Sequence, residues 1–263
     1  MFELLLFAYR APAQQKAEEE RATQRTAQFS QIARQLRIAV QSDAERYTPE
    51  LRDKLTSQIR GLIAQQLVES LSLHGPDVGI LRGKLRNLDT GPRTDADYTN
   101  TPYVMKRQVS GAEVVISAYL LSRGGDGAPE YKSIIQAYRK GPTGWALVAE
   151  TGDDMDGHTI FVVELPARQA GEACFVAHGI LSGYNGRKSR IRGYCFDGEK
   201  FGTIWSPPDR LSLELTVDGT TINMRSLDEY RYYELRKPPY TRVEQFALTP
   251  GGIIHLSTSL ESQ

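Results

Sequence analysis

The chain has 263 residues, 40% of them apolar, with 32 basic side chains against 32 acidic ones. That is enough for a substantial core without staples, and a formal net charge of zero leaves no whole-chain field to draw nucleic acid or anionic lipid. No run of about 18 or more apolar residues occurs, so no stretch is suited to cross a bilayer as a helix.

Residues 1–13 combine a short apolar core, Phe2 and Leu4 to Ala8, with Ala11-Pro12-Ala13, which has the small-x-small form of a secretory cleavage site. This predicts a degenerate or truncated signal segment and a periplasmic or extracellular protein. Glu3, Arg10 and the missing N-terminal cation fit the alternative, a helix start in a cytoplasmic chain.

From Gln14 the composition turns to Ala, Gln, Glu and Arg, without Gly or Pro, and Phe29, Ile32, Leu36 and Val40 recur at helical spacing. Thr48-Pro49-Glu50 reads as a second start: a capping hydroxyl, a proline at the first helical position and an acid in the first turn. Leu51, Leu55, Ile59, Leu62, Ile63, Leu67 and Leu71 line one side of this helix until His74-Gly75-Pro76 stops it. The expectation is a helical hairpin over 14–84 whose apolar stripes face each other or a larger surface, with self-association through these helices as the alternative use. Residues 85–101, mixing Gly, Pro, Asp, Asn and Thr without periodicity, read as a linker.

Beyond Pro102 short runs rich in β-branched and aromatic residues alternate with Gly, Pro, Asp and Asn, which predicts an all-β domain over 102–263. Strands are expected at 104–109, 113–121, 132–139, 145–150, 159–164, 172–181, 188–196, 201–206, 211–217, 220–225, 241–248 and 252–257, with a further short one at 231–235. The run from Glu113 lies over that from Glu172, matching Ala118 to Ala177, Gly124 to Gly183 and Gly127 to Gly186. Farther on Tyr138 falls on Tyr194, Trp145 on Phe201 and Val148 on Ile204, and a third copy starts where Arg242 overlies Arg190. Three sets of four strands result, and this pattern over 102–257 resembles the blade grammar of β-propeller repeat proteins. The resemblance implies antiparallel four-strand units in a partial propeller-like arrangement; a barrel or sandwich is the alternative. The acidic loop of integrin-like propellers alternates as D-x-D-x-D-G. Asp153-Asp154-Met155-Asp156-Gly157 does not, so calcium binding does not carry over.

The chemistry-bearing residues are few. With residues 183–186 as a hairpin loop, stepping outward along both strands sets Cys174 opposite Cys195, where a disulfide forms if the pair is closely spaced. His178 shares the alternating face of Cys174, so one His and two Cys are a zinc alternative. Asp153, Asp154 and Asp156 form an acidic loop ahead of His158. It is suited either to ordinary turn chemistry or, as weak metal ligands, to a metal-dependent hydrolase. No Walker loop, nucleophile elbow or dinucleotide fingerprint is present, and no cofactor is predicted. Tyr230, Tyr232, Tyr233, Arg236 and Tyr240 interleave aromatic area with cationic hydrogen-bond donors and are the expected contact surface for a protein, peptide or glycan rather than nucleic acid. The expected function is that of an exported, non-catalytic binding or scaffold module, with the hydrolase as its alternative.

Overall fold

The computed structural model describes residues 12–41, 49–88, 102–122, 131–151, 160–180, 188–228 and 240–262. Three helices come first: α1 (Pro12–Gln41), α2 (Pro49–His74) and α3 (Val78–Leu88). Helix α2 begins on its proline and ends where Gly75, at φ 68°, donates its N–H to the Leu71 carbonyl at 2.9 Å. Asp77 then restarts the chain by accepting the Ile80 N–H at 2.9 Å, a side-chain cap on α3. The linker expected from Leu85 therefore starts too early: Leu81, Leu85 and Leu88 are one buried stripe of α3, and residues 85–88 are helical. The Gly-Pro pair that reads as a terminus is only a corner, because the cap that follows it reopens the helix.

Among the described residues twelve strands follow: β1 (Tyr103–Val109), β2 (Ala112–Ser122), β3 (Tyr131–Gly141), β4 (Gly144–Thr151), β5 (Ile160–Leu165), β6 (Ala173–Ile180), β7 (Lys188–Phe196), β8 (Phe201–Trp205), β9 (Arg210–Asp218), β10 (Thr221–Leu227), β11 (Tyr240–Thr249) and β12 (Gly252–Ser262). Each coincides with a predicted strand, and β12 runs on to Ser262 instead of ending at 257. The short strand expected at 231–235 lies outside the described residues.

Strands β1 to β4 form one antiparallel sheet in sequential order, called unit 1 below. Strands β5 to β8 (unit 2) and β9 to β12 (unit 3) are sequential meanders too, but they share a second sheet. The link is short: the start of β7 pairs with β9 through Lys188↔Leu211 and Ser189↔Arg210, and its other end pairs with β8 from Gly193 to Phe196. Propeller blades are separate sheets, so this join departs from the blade grammar.

The layers stack face on face. Helix residues Phe29, Ile59, Ile63 and Leu67 bury against Val115, Tyr119 and Tyr138 of unit 1. The opposite face of unit 1 packs Val114, Ile116 and Ile135 against Phe175, Tyr194 and Phe196 of unit 2. The far face of unit 2 packs Val176, Ile191 and Cys195 against Ile222, Met224 and Phe246 of unit 3. Among the described side chains, the apolar stripes of the helices are thus buried against one another and against the sheet.

One irregularity recurs in every unit. The third and fourth strands slip register between Ala137 and Tyr138, between Gly193 and Tyr194, and between Gln245 and Phe246. A β-bulge inserts one unpaired residue, and that residue is Val148, Ile204 or Leu256 in turn. Tyr138, Tyr194 and Phe246 each face the preceding layer. Val148 and Ile204 face the following one, while Leu256, on the outer face of unit 3, is 53% exposed.

The strand pairing also corrects the match of Ala118 to Ala177. Tyr138 pairs with Val115 and Tyr194 with Phe175, so the second strands correspond one residue away from that match. Ala118 faces unit 2 whereas Ala177 faces unit 1, and a one-residue slip reverses every side chain in a strand. Gly193, the residue before the unit 2 bulge, is the most crowded of the described glycines. A Cβ added there would lie 2.9 Å from the Trp205 Cβ and 3.4 Å from the Ile253 Cδ1 of unit 3.

Candidate functional site

Of the predicted contact residues, Tyr240 opens β11, whereas Tyr230, Tyr232, Tyr233 and Arg236 lie outside the described residues. The frame from which that segment departs is well defined. Strand β10 ends at Leu227, paired with Thr241, and the Asp228 N–H donates to the Tyr240 carbonyl at 3.0 Å. The two strands are therefore still in register where the chain leaves at 229 and returns at 239. Arg242 stands 3.8 Å from the Asp228 carboxylate, and beneath it the Arg210 guanidinium grips Glu244 with two hydrogen bonds of 2.9 and 3.1 Å. Glu244 and Ser226 are both buried, and Arg190 meets Asp209 at 3.4 Å on the neighbouring edge.

Strand geometry explains this grouping. Arg242 and Glu244 are two residues apart on β11 and so share a face. Glu244 pairs with Met224 on the intervening β10, so the Arg210 side chain reaches across that strand to bind it. Pairing is obligatory here, because an unpaired charge at such depth is strongly destabilising. Alternation along β11 exposes half of this frame in the sequence; Arg210, 34 residues away, carries no such signal.

Cys174 and Cys195 are directly opposed on β6 and β7 and form a disulfide, their Cα atoms 4.1 Å apart as at a non-hydrogen-bonded antiparallel position. His178 does not join them. It is four residues along β6, roughly 13 Å at strand rise, and stacks on Phe161 with ring centroids 4.9 Å apart. Burial alone pushes the His178 imidazole down to about 4, and its Nδ1 is buried without a hydrogen-bond partner. The neighbour of the sulfurs is instead Glu172. Its carboxylate lies 3.8 Å from the Cys174 Sγ and receives two hydrogen bonds from Arg168, at 2.7 and 3.2 Å.

Asp153, Asp154, Asp156 and His158 fall between β4 and β5, outside the described residues. A cleft of about 500 Å³ opens among the three helices, with Thr26, Ser30, Gln66, Lys84 and Asn87 in its wall. Arg25 holds the Gln66 side chain of that wall by donating to it and, at 2.6 Å, donates also to Glu69. No helix among the described residues is long and apolar enough to cross a membrane. No family model matches the chain, and no curated protein does.

Proposed function

We propose that the chain is an exported, non-catalytic binding or scaffold protein whose contact surface is the tyrosine-rich segment between β10 and β11. The observation that carries this reading is the frame just described. Two adjacent antiparallel strands need about two residues to connect, yet here the chain leaves a hairpin still in register and spends residues 229–239 before re-entering it. Long excursions on a rigid scaffold are where recognition residues concentrate, and this one is anchored by a buried Arg210–Glu244 pair.

Export is supported by the disulfide, a bond that persists in oxidising compartments. We also take the three units as copies of one repeat in an open, partial propeller-like stack, with the helices covering its first face. The recurrence of one bulge at Val148, Ile204 and Leu256 supports that reading.

The test is binding of the full chain to peptide and glycan arrays, repeated with Tyr232→Ala, Tyr233→Ala and Arg236→Ala combined. At least a tenfold loss of captured signal with unchanged melting is expected. Full retention by the variant, or no capture on either array, overturns the reading. A metal ion in the oxidised protein that disappears with Asp154→Ala and Asp156→Ala would instead favour the metal-dependent hydrolase.

A further inference from the structure

We infer that Glu172, Cys174 and Cys195 form a redox-gated site for a thiophilic divalent cation such as zinc, closed while the disulfide stands and opened by its reduction. Glu172 immediately precedes β6, two residues before Cys174, and Cys195 is the direct cross-strand partner of Cys174. All three ligand atoms therefore gather on one face of the sheet, within 4.8 Å of one another.

The spacing suits a tetrahedral ion. Bond lengths of about 2.3 Å to sulfur and about 2.0 Å to oxygen require sulfur-to-sulfur edges of about 3.8 Å and sulfur-to-oxygen edges of about 3.5 Å. The Glu172 Oε2 to Cys174 Sγ edge is already 3.8 Å, so the change needed is separation of the two sulfurs. Opposed strand cysteines with Cα atoms 4.1 Å apart carry their thiols at that range once the bond is cut.

The surroundings complete the case. Arg168 holds both carboxylate oxygens, which fixes the Glu172 rotamer as outer partners of metal ligands do. Two thiolates, one carboxylate, the guanidinium and a divalent cation sum to zero charge, which a site with sulfurs this dry requires. Cys174 and Cys195 are 3% and 4% exposed, so water is nearly excluded except from the Glu172 side, which leaves the fourth position to a water molecule or a small anion.

The chemistry balances in two steps. A dithiol reductant delivers two electrons and two protons to the disulfide, giving two thiols and leaving the reductant as its own disulfide. The cation then enters as both thiol protons pass to solvent, and the two thiolates and the carboxylate bind it. Exchange of the two thiolates with a small-molecule disulfide, which takes the two electrons and leaves as two thiolates, would re-form the Cys174–Cys195 bond and expel the ion.

Cobalt(II) reports the site directly. The full-length protein, oxidised or reduced with a phosphine and handled without oxygen, is titrated with Co²⁺ and then with Zn²⁺. One equivalent per chain with a thiolate-to-cobalt band is expected in the reduced form only, with displacement by zinc. Glu172→Gln is expected to weaken binding at least tenfold and Cys174→Ser to abolish the band. A reduced protein that melts as a folded domain yet gives no band overturns the proposal, as does a band indifferent to Glu172→Gln. If the reduced chain loses its fold, zinc must restore the far-ultraviolet strand signal; failure to do so overturns the proposal equally.

Discussion

Units 2 and 3 are built on the same four-strand plan, and they differ in what lies behind them. The far face of unit 2 carries Val176, Ile191, Cys195 and Ile204 and is covered by unit 3. On the corresponding face of unit 3, Gln245 donates to Asn223 at 3.1 Å, Ser257 donates to Gln245 at 3.3 Å and Arg225 pairs with Glu261 at 2.7 Å. The pairing Thr221↔Ala247 occupies the place of the disulfide pair Cys174↔Cys195. A four-strand unit is therefore specified by its neighbours as much as by its own strands: the covered face is dry, and the exposed face carries a hydrogen-bonded polar ladder.

Three measurements sharpen or break that contrast. The largest effect belongs to the aromatic cluster that unit 2 turns toward unit 1, where Phe175 is 1% exposed. Phe175→Ala should cost about 3–5 kcal/mol in urea unfolding, and a loss below about 1 kcal/mol would mean that these layers are not packed as one body.

Next comes the histidine on the face between units 2 and 3. His178 takes a proton at about 4 in the folded protein and at about 6.5 in the unfolded chain, so the unfolded state binds the extra proton in between. Its contribution is present in full above pH 6.5, declines as the pH falls toward 4 and then levels off. The expected loss is about 3 kcal/mol, and His178→Leu should remove this slope from a stability profile between pH 7 and 4. A wild-type profile flat across that window would show that the imidazole is already solvated.

The smallest effect is expected on the outer face, where Gln245→Ala breaks an exposed ladder and should shift stability by less than about 0.5 kcal/mol. A loss comparable to that of Phe175→Ala would show that this face is covered in solution, and the contrast between the units would collapse.

Much of this architecture is local and hence visible in sequence. Strand positions follow from alternation and turn residues, and the facing of Cys174 and Cys195 follows from counting outward from a hairpin loop. What escapes has physical causes. Alanine is small enough for either face of a strand, which is why Ala118 and Ala177 align well in sequence and one residue out in space. Among the described residues two pairs join β7 to β9, too few to leave a pattern. The start of α3 is set by the Asp77 carboxylate, hidden behind a Gly-Pro pair that looks like an ending. At the candidate site the aromatic and cationic residues stand out by composition, whereas the Arg210–Glu244 pair and the Glu172 carboxylate become neighbours only through folding.

The bulge residues carry one more implication. Val148 and Ile204 act as pegs, each projecting from its own unit into the next, and Leu256 projects from the exposed face of unit 3. An aromatic side chain laid on that face, as Phe246 is laid on unit 2, would land on the hydrogen bonds joining Asn223, Gln245 and Ser257 and strip them of water. The two faces of unit 3 are therefore not equivalent: one accepts an apolar sheet, and the other would accept it only with those three residues made apolar.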